Sequence, residues 1–284
     1  MRKLIIPVDF SENSFNAIKY AVELFKYEEC EIFLLHTYAE EIYSMEENKK
    51  SEDLEKLKND THAQAVEKLE DLEEKIKNIS PNPRHRVKSI ASYGLLIDDV
   101  NDLVIKENAD LVIMGTRGRS NNRSHTFGSN TLQVVKYIQC PVLGIPENFS
   151  FTGLSNLLFP TDFMIPYKRR ELKLVAETAK SHCASIHMLY ISKFPLESMR
   201  QKDNQAFFKE QLKEAQTLYH RIDEQDRLKA ITQEIEKLKI DMLVMVNSRY
   251  TYLESLLYES TINKISLNPQ IPFMVLQNYN RESY

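Results

Sequence analysis

The sequence predicts an α/β protein built as two tandem domains, each a doubly wound, five-stranded parallel sheet. Three observations predict it. Short apolar runs alternate with stretches of helical periodicity, the pattern of a sheet whose strands are joined by helical crossovers. The alternation occurs twice, with matching residues at matching places. And 284 residues are enough for two domains of ordinary size, each able to bury its own core.

In the first copy, Leu4 to Phe10 (LIIPVDF) reads as a strand buried on both faces. Ser11-Glu-Asn-Ser14 supplies helix-start residues, and Ala17, Ile18, Ala21, Val22 and Phe25 continue with helical spacing. Ile32 to Thr37 is a second strand, so strand, helix and strand form a βαβ unit with parallel pairing. Residues 40–80 are strongly charged, with Leu54, Leu57, Ala65, Leu69, Leu72 and Ile76 mostly three and four apart. That spacing predicts one long amphipathic helix, or two in series, with a solvated outer face. Arg86–Ser92 is a third strand, Ile97–Asn108 a helix, Leu111–Met114 a fourth strand and Pro141–Ile145 a fifth.

The second copy follows after a junction near Glu147 to Ser155, which divides the chain into 1–150 and 151–284. Pro160 and Asp162 repeat Pro7 and Asp9, each followed by Phe, and Ile186–Ile191 stands where the second strand did. Asp241-Met-Leu-Val-Met-Val246 repeats Asp110-Leu-Val-Ile-Met-Gly115, and Pro272–Leu276 repeats Pro141–Ile145. Both matches share one offset of 131 (241 − 110 and 272 − 141). The stretch from Asp162 to Asp241 is shorter than that from Asp9 to Asp110, and the loss is expected in the charged helical region.

Between the fourth strand and the next helix lies a polar loop with Gly115, Gly118 and Gly128, then Ser129-Asn130 and the periodic Leu132, Val135 and Ile138. Strand, glycine loop and helix start suit phosphate. Glycine lets an anion approach the backbone, and a helix N-terminus adds unpaired N–H groups and partial positive charge. Arg117, Arg119 and Arg123 add cationic charge, although solvated loop arginines would look the same. The spacing Gly115-x2-Gly118-x9-Gly128-Ser129 is neither the Walker A pattern nor G-x-G-x-x-G. It resembles the nucleotide-binding signature of the universal stress protein family, Gly-x2-Gly-x9-Gly-Ser/Thr.

That resemblance extends over the whole chain as a tandem of two such domains. It rests also on Pro7-Val8-Asp9 and Leu35-His36, and only the framework of the second copy matches. It implies a Rossmann-like fold of the adenine nucleotide alpha hydrolase type, with ATP, alone or with magnesium, at the carboxyl ends of the strands. By resemblance, Val8 and Asp9 touch the adenosine beside Pro7, and Thr37 borders the adenine. Gly115, Gly118, Gly128, Ser129 and Asn130 hold ribose and phosphates, flanked by Met114 and Arg117. Members of the family often pair through their fifth strands, so a tandem chain is expected to make an internal pseudo-dimer. Asp9 also has a plain alternative as a helix cap. His36, inside an apolar run, reads as a hydrogen-bonded core histidine, and nothing in the sequence orients His125.

The second copy departs from the signature. None of the six glycines lies beyond Gly153. Val246, Arg249 and Glu259 replace the loop glycines, each disfavouring a left-handed backbone by about 1–2 kcal/mol. Glu259 would set a carboxylate where phosphate should lie, and Tyr250, Tyr252 and Tyr258 add bulk. The second domain is therefore expected to be degenerate, either a packing partner or the seat of another small-ligand pocket.

A net charge of −4 gives no electrostatic case for nucleic acid or an anionic membrane. No apolar run reaches the roughly 18 residues of a membrane helix. The start at Arg2-Lys3 shows no signal-peptide pattern, and Cys30, Cys140 and Cys183 lack metal-ligand spacing. A cytoplasmic protein with buried cysteines is expected. Three functions stay open. One is a nucleotide-binding stress-response protein with unidentified protein partners. The second is a slow ATPase, for which Asp9 is the one acid near the phosphates and no Walker lysine exists. The third is a nucleotide-independent scaffold using residues 40–77.

Overall fold

A computed structural model describes residues 1–45, 51–116, 129–247 and 270–278, and these fall into two compact units, Met1–Ser150 and Phe151–Arg281. The first unit contains β1 (Arg2–Pro7), α1 (Glu12–Leu24), β2 (Cys30–Thr37), α2 (Ala39–Met45), α3 (Ser51–Ile79), β3 (His85–Ser92), α4 (Leu96–Glu107), β4 (Leu111–Gly115), α5 (Ser129–Tyr137) and β5 (Val142–Ile145). Its strands lie in the order β3-β2-β1-β4-β5, every pairing parallel. The second unit contains β6 (Asn156–Pro160), α6 (Arg169–Ser181), β7 (Ser185–Ile191), α7 (Met199–Gln211), β8 (Gln216–Ile222), α8 (Arg227–Lys237), β9 (Met242–Asn247) and β10 (Phe273–Gln277). Its order is β8-β7-β6-β9-β10, again parallel. Each unit is thus the expected doubly wound sheet.

Local chemistry accounts for the elements. Ser11 caps α1, its hydroxyl accepting from Ser14 N–H at 3.1 Å. Ala17, Ile18, Ala21, Val22 and Phe25 are all buried, as their spacing requires. Among the described residues the charged region forms α2 and α3. Along α3 the buried side chains are Ala65, Leu69, Leu72 and Ile76, a single stripe with the charges outside it. Helix α4 ends where Asn108 takes a left-handed conformation at φ 51°, which Asn tolerates better than most residues. The length difference between the copies lies between the second and third strands, residues 38–84 against 192–215. A single helix, α7, stands there in the second unit.

The strand starts are fastened alike in both units. The Asp110 carboxylate accepts from the Lys3 backbone N–H at 2.9 Å, while Asp110 N–H donates to the Lys3 carbonyl at 2.8 Å. In the second unit Asp241 accepts from Ser155 and Asn156 N–H at 2.7 and 2.9 Å, and its own N–H reaches the Asn156 carbonyl at 2.9 Å. The repeated aspartate therefore clamps the first strand to the fourth at their amino ends, the edge away from the glycine loop.

Two expectations need correction. Cys30 and Cys140 are buried, but Cys183 is exposed, in a left-handed turn at φ 54°. The first and sixth strands stop at Pro7 and Pro160, because the Asp-Phe that follows forms a turn instead of extending the ladder. No helix among the described residues is long and apolar enough to cross a membrane.

Phe208 is fully buried, with Tyr167 at 4.9 Å and Phe163 at 5.6 Å between ring centroids. Phe208→Ala is expected to cost about 3–5 kcal/mol. The check is urea unfolding, where the midpoint falls and the denaturant slope is unchanged.

Candidate functional site

The site is built where the first unit's sheet reverses direction. β1 lies between β2 and β4, so the chain leaves the carboxyl ends of these neighbours toward different sides of the sheet and leaves a crevice there. Pro7 ends β1, Val8 and Asp9 follow it, Thr37 ends β2, and Met114 and Gly115 end β4. The register places Pro7 opposite Leu35 and Ile5 opposite Val112, which brings all six residues to one sheet edge. Of the remaining expected residues, Ser129 begins α5 and Asn130 is exposed in its first turn. Arg117, Gly118 and Gly128, with Arg119, Arg123 and His125, lie outside the described residues.

The turn after β1 is tightly specified. Val8 N–H donates to the Leu35 carbonyl at 2.8 Å, and the Val8 carbonyl is 2.8 Å from His36 Nδ1. His36 is buried and lies against Phe10, ring centroids 4.5 Å apart. Phe10 sits at φ 60°, a strained conformation for a residue with a side chain. Asp9 relieves the turn: its Oδ1 accepts from Ser11 N–H at 3.0 Å and from Ser11 Oγ at 2.6 Å. Asp9 is thus not the helix cap; it holds the residue that is.

The second unit repeats this geometry. Asp162 Oδ1 accepts from Met164 N–H at 2.9 Å, and Phe163 stands at φ 57°. The Pro-x-Asp-Phe repeat is therefore a feature of how these units turn out of their first strand.

Gly115 is where the units part. A Cβ on Gly115 would lie 2.6 Å from Asn13 Nδ2, 2.8 Å from Asn13 Cγ and 3.0 Å from the Asn13 carbonyl oxygen. The end of β4 therefore runs directly against the first turn of α1. On its other side, Thr131 in α5 donates its hydroxyl to the Gly115 carbonyl at 3.2 Å. Gly115 thus joins the starts of α1 and α5, and the N–H-bearing ends of two helices meet at one strand end. In the second unit Val246 occupies the corresponding place, and Asn247 Nδ2 donates to Gln277 Oε1 at 2.9 Å. There α7 closes over the turn: Gln201 Nε2 and Asn204 Nδ2 donate to the carbonyls of Asp162 and Phe163, each at 2.8 Å. Phe163, Tyr190, Phe208 and Tyr219 fill the space around it.

Beyond Thr37 the first unit carries a different lining. The Tyr38 hydroxyl is 3.0 Å from His62 Nδ1, and Tyr38 packs 5.8 Å from Tyr93. Lys58 Nζ lies 4.3 Å above the Tyr93 ring. Burial is the main cause pushing the Tyr38 phenol up, helped by Tyr93 and opposed by Lys58. Among the described residues no group of three or more His, Cys, Asp or Glu is placed to hold a metal ion.

Sequence reasoning missed Asn13 and Thr131. Asn13 looked like one more helix-start residue, and only its contact with Gly115 reveals what it does. Tyr38, His62 and Tyr93 are far apart in sequence and carried no periodic signal.

The sequence profile described as the Universal stress protein family matches residues 1–146. A universal stress protein of Methanocaldococcus jannaschii is 29% identical over 161 residues, 52% of this chain and 97% of that protein. Universal stress protein G of Escherichia coli is 27% identical over 144 residues, 50% of this chain and 96% of its own. Over both units the chain resembles the crystal structure of a universal stress protein from Archaeoglobus fulgidus, with a TM-score of 0.68 and 18% identity. That match covers 98% of each chain and speaks to the fold.

Gly115→Ala must displace the Asn13 side chain and crowd its carbonyl. A loss of about 1–3 kcal/mol is expected, typical of overpacking, and thermal unfolding of the variant beside wild type measures it.

Proposed function

The chain belongs to the universal stress protein family, and from that premise we propose that its first unit binds ATP or another adenine nucleotide at the carboxyl ends of β1, β2 and β4. The observation that carries the reading is the meeting of two helix starts at the end of β4, where Gly115 lies against Asn13 of α1 and accepts from Thr131 of α5. A phosphate is favoured at such a place by N–H donors and partial positive charge.

In this reading Pro7, Val8 and Asp9 line the adenosine, and Thr37 borders the base. Met114, Gly115 and the loop through Arg117, Gly118 and Gly128 take ribose and phosphates, with Ser129 and Asn130 at the start of α5. The chain supplies orientation and charge compensation there. It offers little for efficient hydrolysis, because Asp9 spends one oxygen on Ser11. Occupancy then acts in the stress response by favouring one conformation or partner, which requires the nucleotide to bind the two states unequally. The second unit takes no nucleotide in this mode, since Val246 replaces the glycine and α7 ties down the turn. Sparse cysteines support a cytoplasmic setting.

The test is mass spectrometry of small molecules released from natively purified protein, with Gly118→Glu as control. About one adenylate per chain, absent from the variant, is the expected result, since the variant's carboxylate repels phosphate. About two per chain would refute the degenerate second unit. An empty protein whose thermal midpoint ignores added Mg-ATP would overturn the reading and favour a scaffold.

The same reading extends to assembly. Each unit's sheet ends on its fifth strand, β5 or β10, and we propose that the two pair within one chain, as separate family members pair between chains. No fifth strand is then left for a partner, so light scattering at micromolar concentration should give the mass of one chain. A stable dimer would count against it.

A further inference from the structure

One polar cluster in the second unit is unexplained by the proposed function. His187 in β7 is buried, and its Nδ1 lies 2.9 Å from His220 Nε2 in β8, the two rings stacked at 5.1 Å. Register places these histidines where the first unit has Phe33 and Ile90. His187 faces Leu158 as Phe33 faces Ile5, and His220 faces Leu189 as Ile90 faces Leu35. Apolar residues therefore serve at these positions in one copy, and the second copy holds a hydrogen-bonded imidazole pair.

The surroundings fix the protons. Asn156 at the start of β6 donates its Nδ2 to the Lys239 carbonyl at 3.4 Å, which turns its Oδ1 toward His187 Nε2 at 3.1 Å. His187 Nε2 must then carry the hydrogen and donate to Asn156. Its Nδ1 is left as an acceptor, filled by the Nε2–H of His220. His220 can take a proton on its other nitrogen and keep this bond. While His220 Nε2 carries its hydrogen, His187 cannot, because a hydrogen on its Nδ1 would meet that one. The charged groups facing the pair come from α8. Glu234 is buried and acts electrostatically on His187, with Oε1 held by Lys237 Nζ at 2.7 Å and Oε2 unpartnered among the described residues.

We propose that His187 and His220 form a proton-operated latch that fastens β8, the strand ending this sheet, and releases it when His187 becomes protonated. Burial first, and the neighbouring His220 second, hold the His187 imidazolium below its ordinary range, while Glu234 works the other way. The sign follows from that depression. The unfolded chain binds the proton more readily, so the latch is fully closed above the ordinary histidine pKa of about 6.5. It weakens as pH falls below that value through the lowered pKa of the folded state. The second unit thereby gains acid sensitivity, independent of any ligand in the first.

Hydrogen exchange of the full chain, followed by mass spectrometry of the segment 216–222, tests this. After correction for intrinsic exchange, wild-type protection should fall severalfold between about pH 7.5 and about pH 5.5, the range in which histidine changes charge. The double variant His187→Phe, His220→Ile restores the first unit's residues, and its protection should not change with pH. A second variant, His220→Gln, keeps an N–H donor for His187 without a titrating ring, and should shift the fall to higher pH by removing the neighbouring charge that opposes protonation of His187. Imidazole NMR of wild type serves even if both variants misfold: His187 should keep its Nε2–H form until β8 opens. The proposal is overturned if wild type and the double variant lose protection alike, or if wild type loses none. Independent titration of both rings with β8 still protected would also overturn it.

Discussion

The pairing of the first strand with the fourth decides the rest of each unit. It reverses the order in which strands are added, so the crossovers on either side of it leave a crevice at the carboxyl ends. At the amino ends one carboxylate enforces the pairing, Asp110 on Lys3 in the first unit and Asp241 on Ser155 and Asn156 in the second. Hydrogen bonds from backbone N–H to a charged acceptor are stronger than neutral ones, by roughly a factor of two. The aspartate thus secures the contact on which the crevice depends while standing at the far edge of the sheet from it.

The two units answer a common problem differently at that crevice. Both leave the first strand through an aspartate-supported turn and a left-handed phenylalanine, so the strain of that turn belongs to the architecture. In the first unit His36 braces the turn from the neighbouring strand, and the end of β4 approaches α1 closely enough that a Cβ on Gly115 would meet Asn13. In the second unit the bracing comes from α7, which sends Gln201 and Asn204 to the turn's carbonyls and packs aromatic rings beside them. Shortening the connection between the second and third strands accompanies this change. A single helix lies there instead of the pair α2 and α3, whose junction with the sheet in the first unit is Tyr38.

Buried polarity is distributed with the same asymmetry. The first unit fills the positions of Phe33 and Ile90 with apolar side chains, and the second places two imidazoles, an amide and a carboxylate around the corresponding points. Buried polar groups cost free energy unless each finds its partner. Here the Lys239 carbonyl orients Asn156, and Asn156 and His220 together give both ring nitrogens of His187 a partner.

What the sequence alone determined is what repeats or alternates. Apolar runs of strand length, helical spacing in α1 and α3, and the constant offset between the copies gave the tandem α/β architecture. Each of these is a local or periodic signal, set by which faces must be buried. The glycine spacing and its absence from the second copy were equally legible, because they are properties of composition. Only the tertiary structure decided what Asp9, Asp110 and Gly115 do. Asp9 became a turn support, not a cap; Asp110 proved to be a clamp remote from the crevice; Gly115 became the contact of β4 with Asn13 and Thr131. It also found the His187–His220 pair, which the sequence presents as two unrelated histidines. These are contacts between residues distant in the chain, and strand order and register, which no local pattern encodes, bring them together.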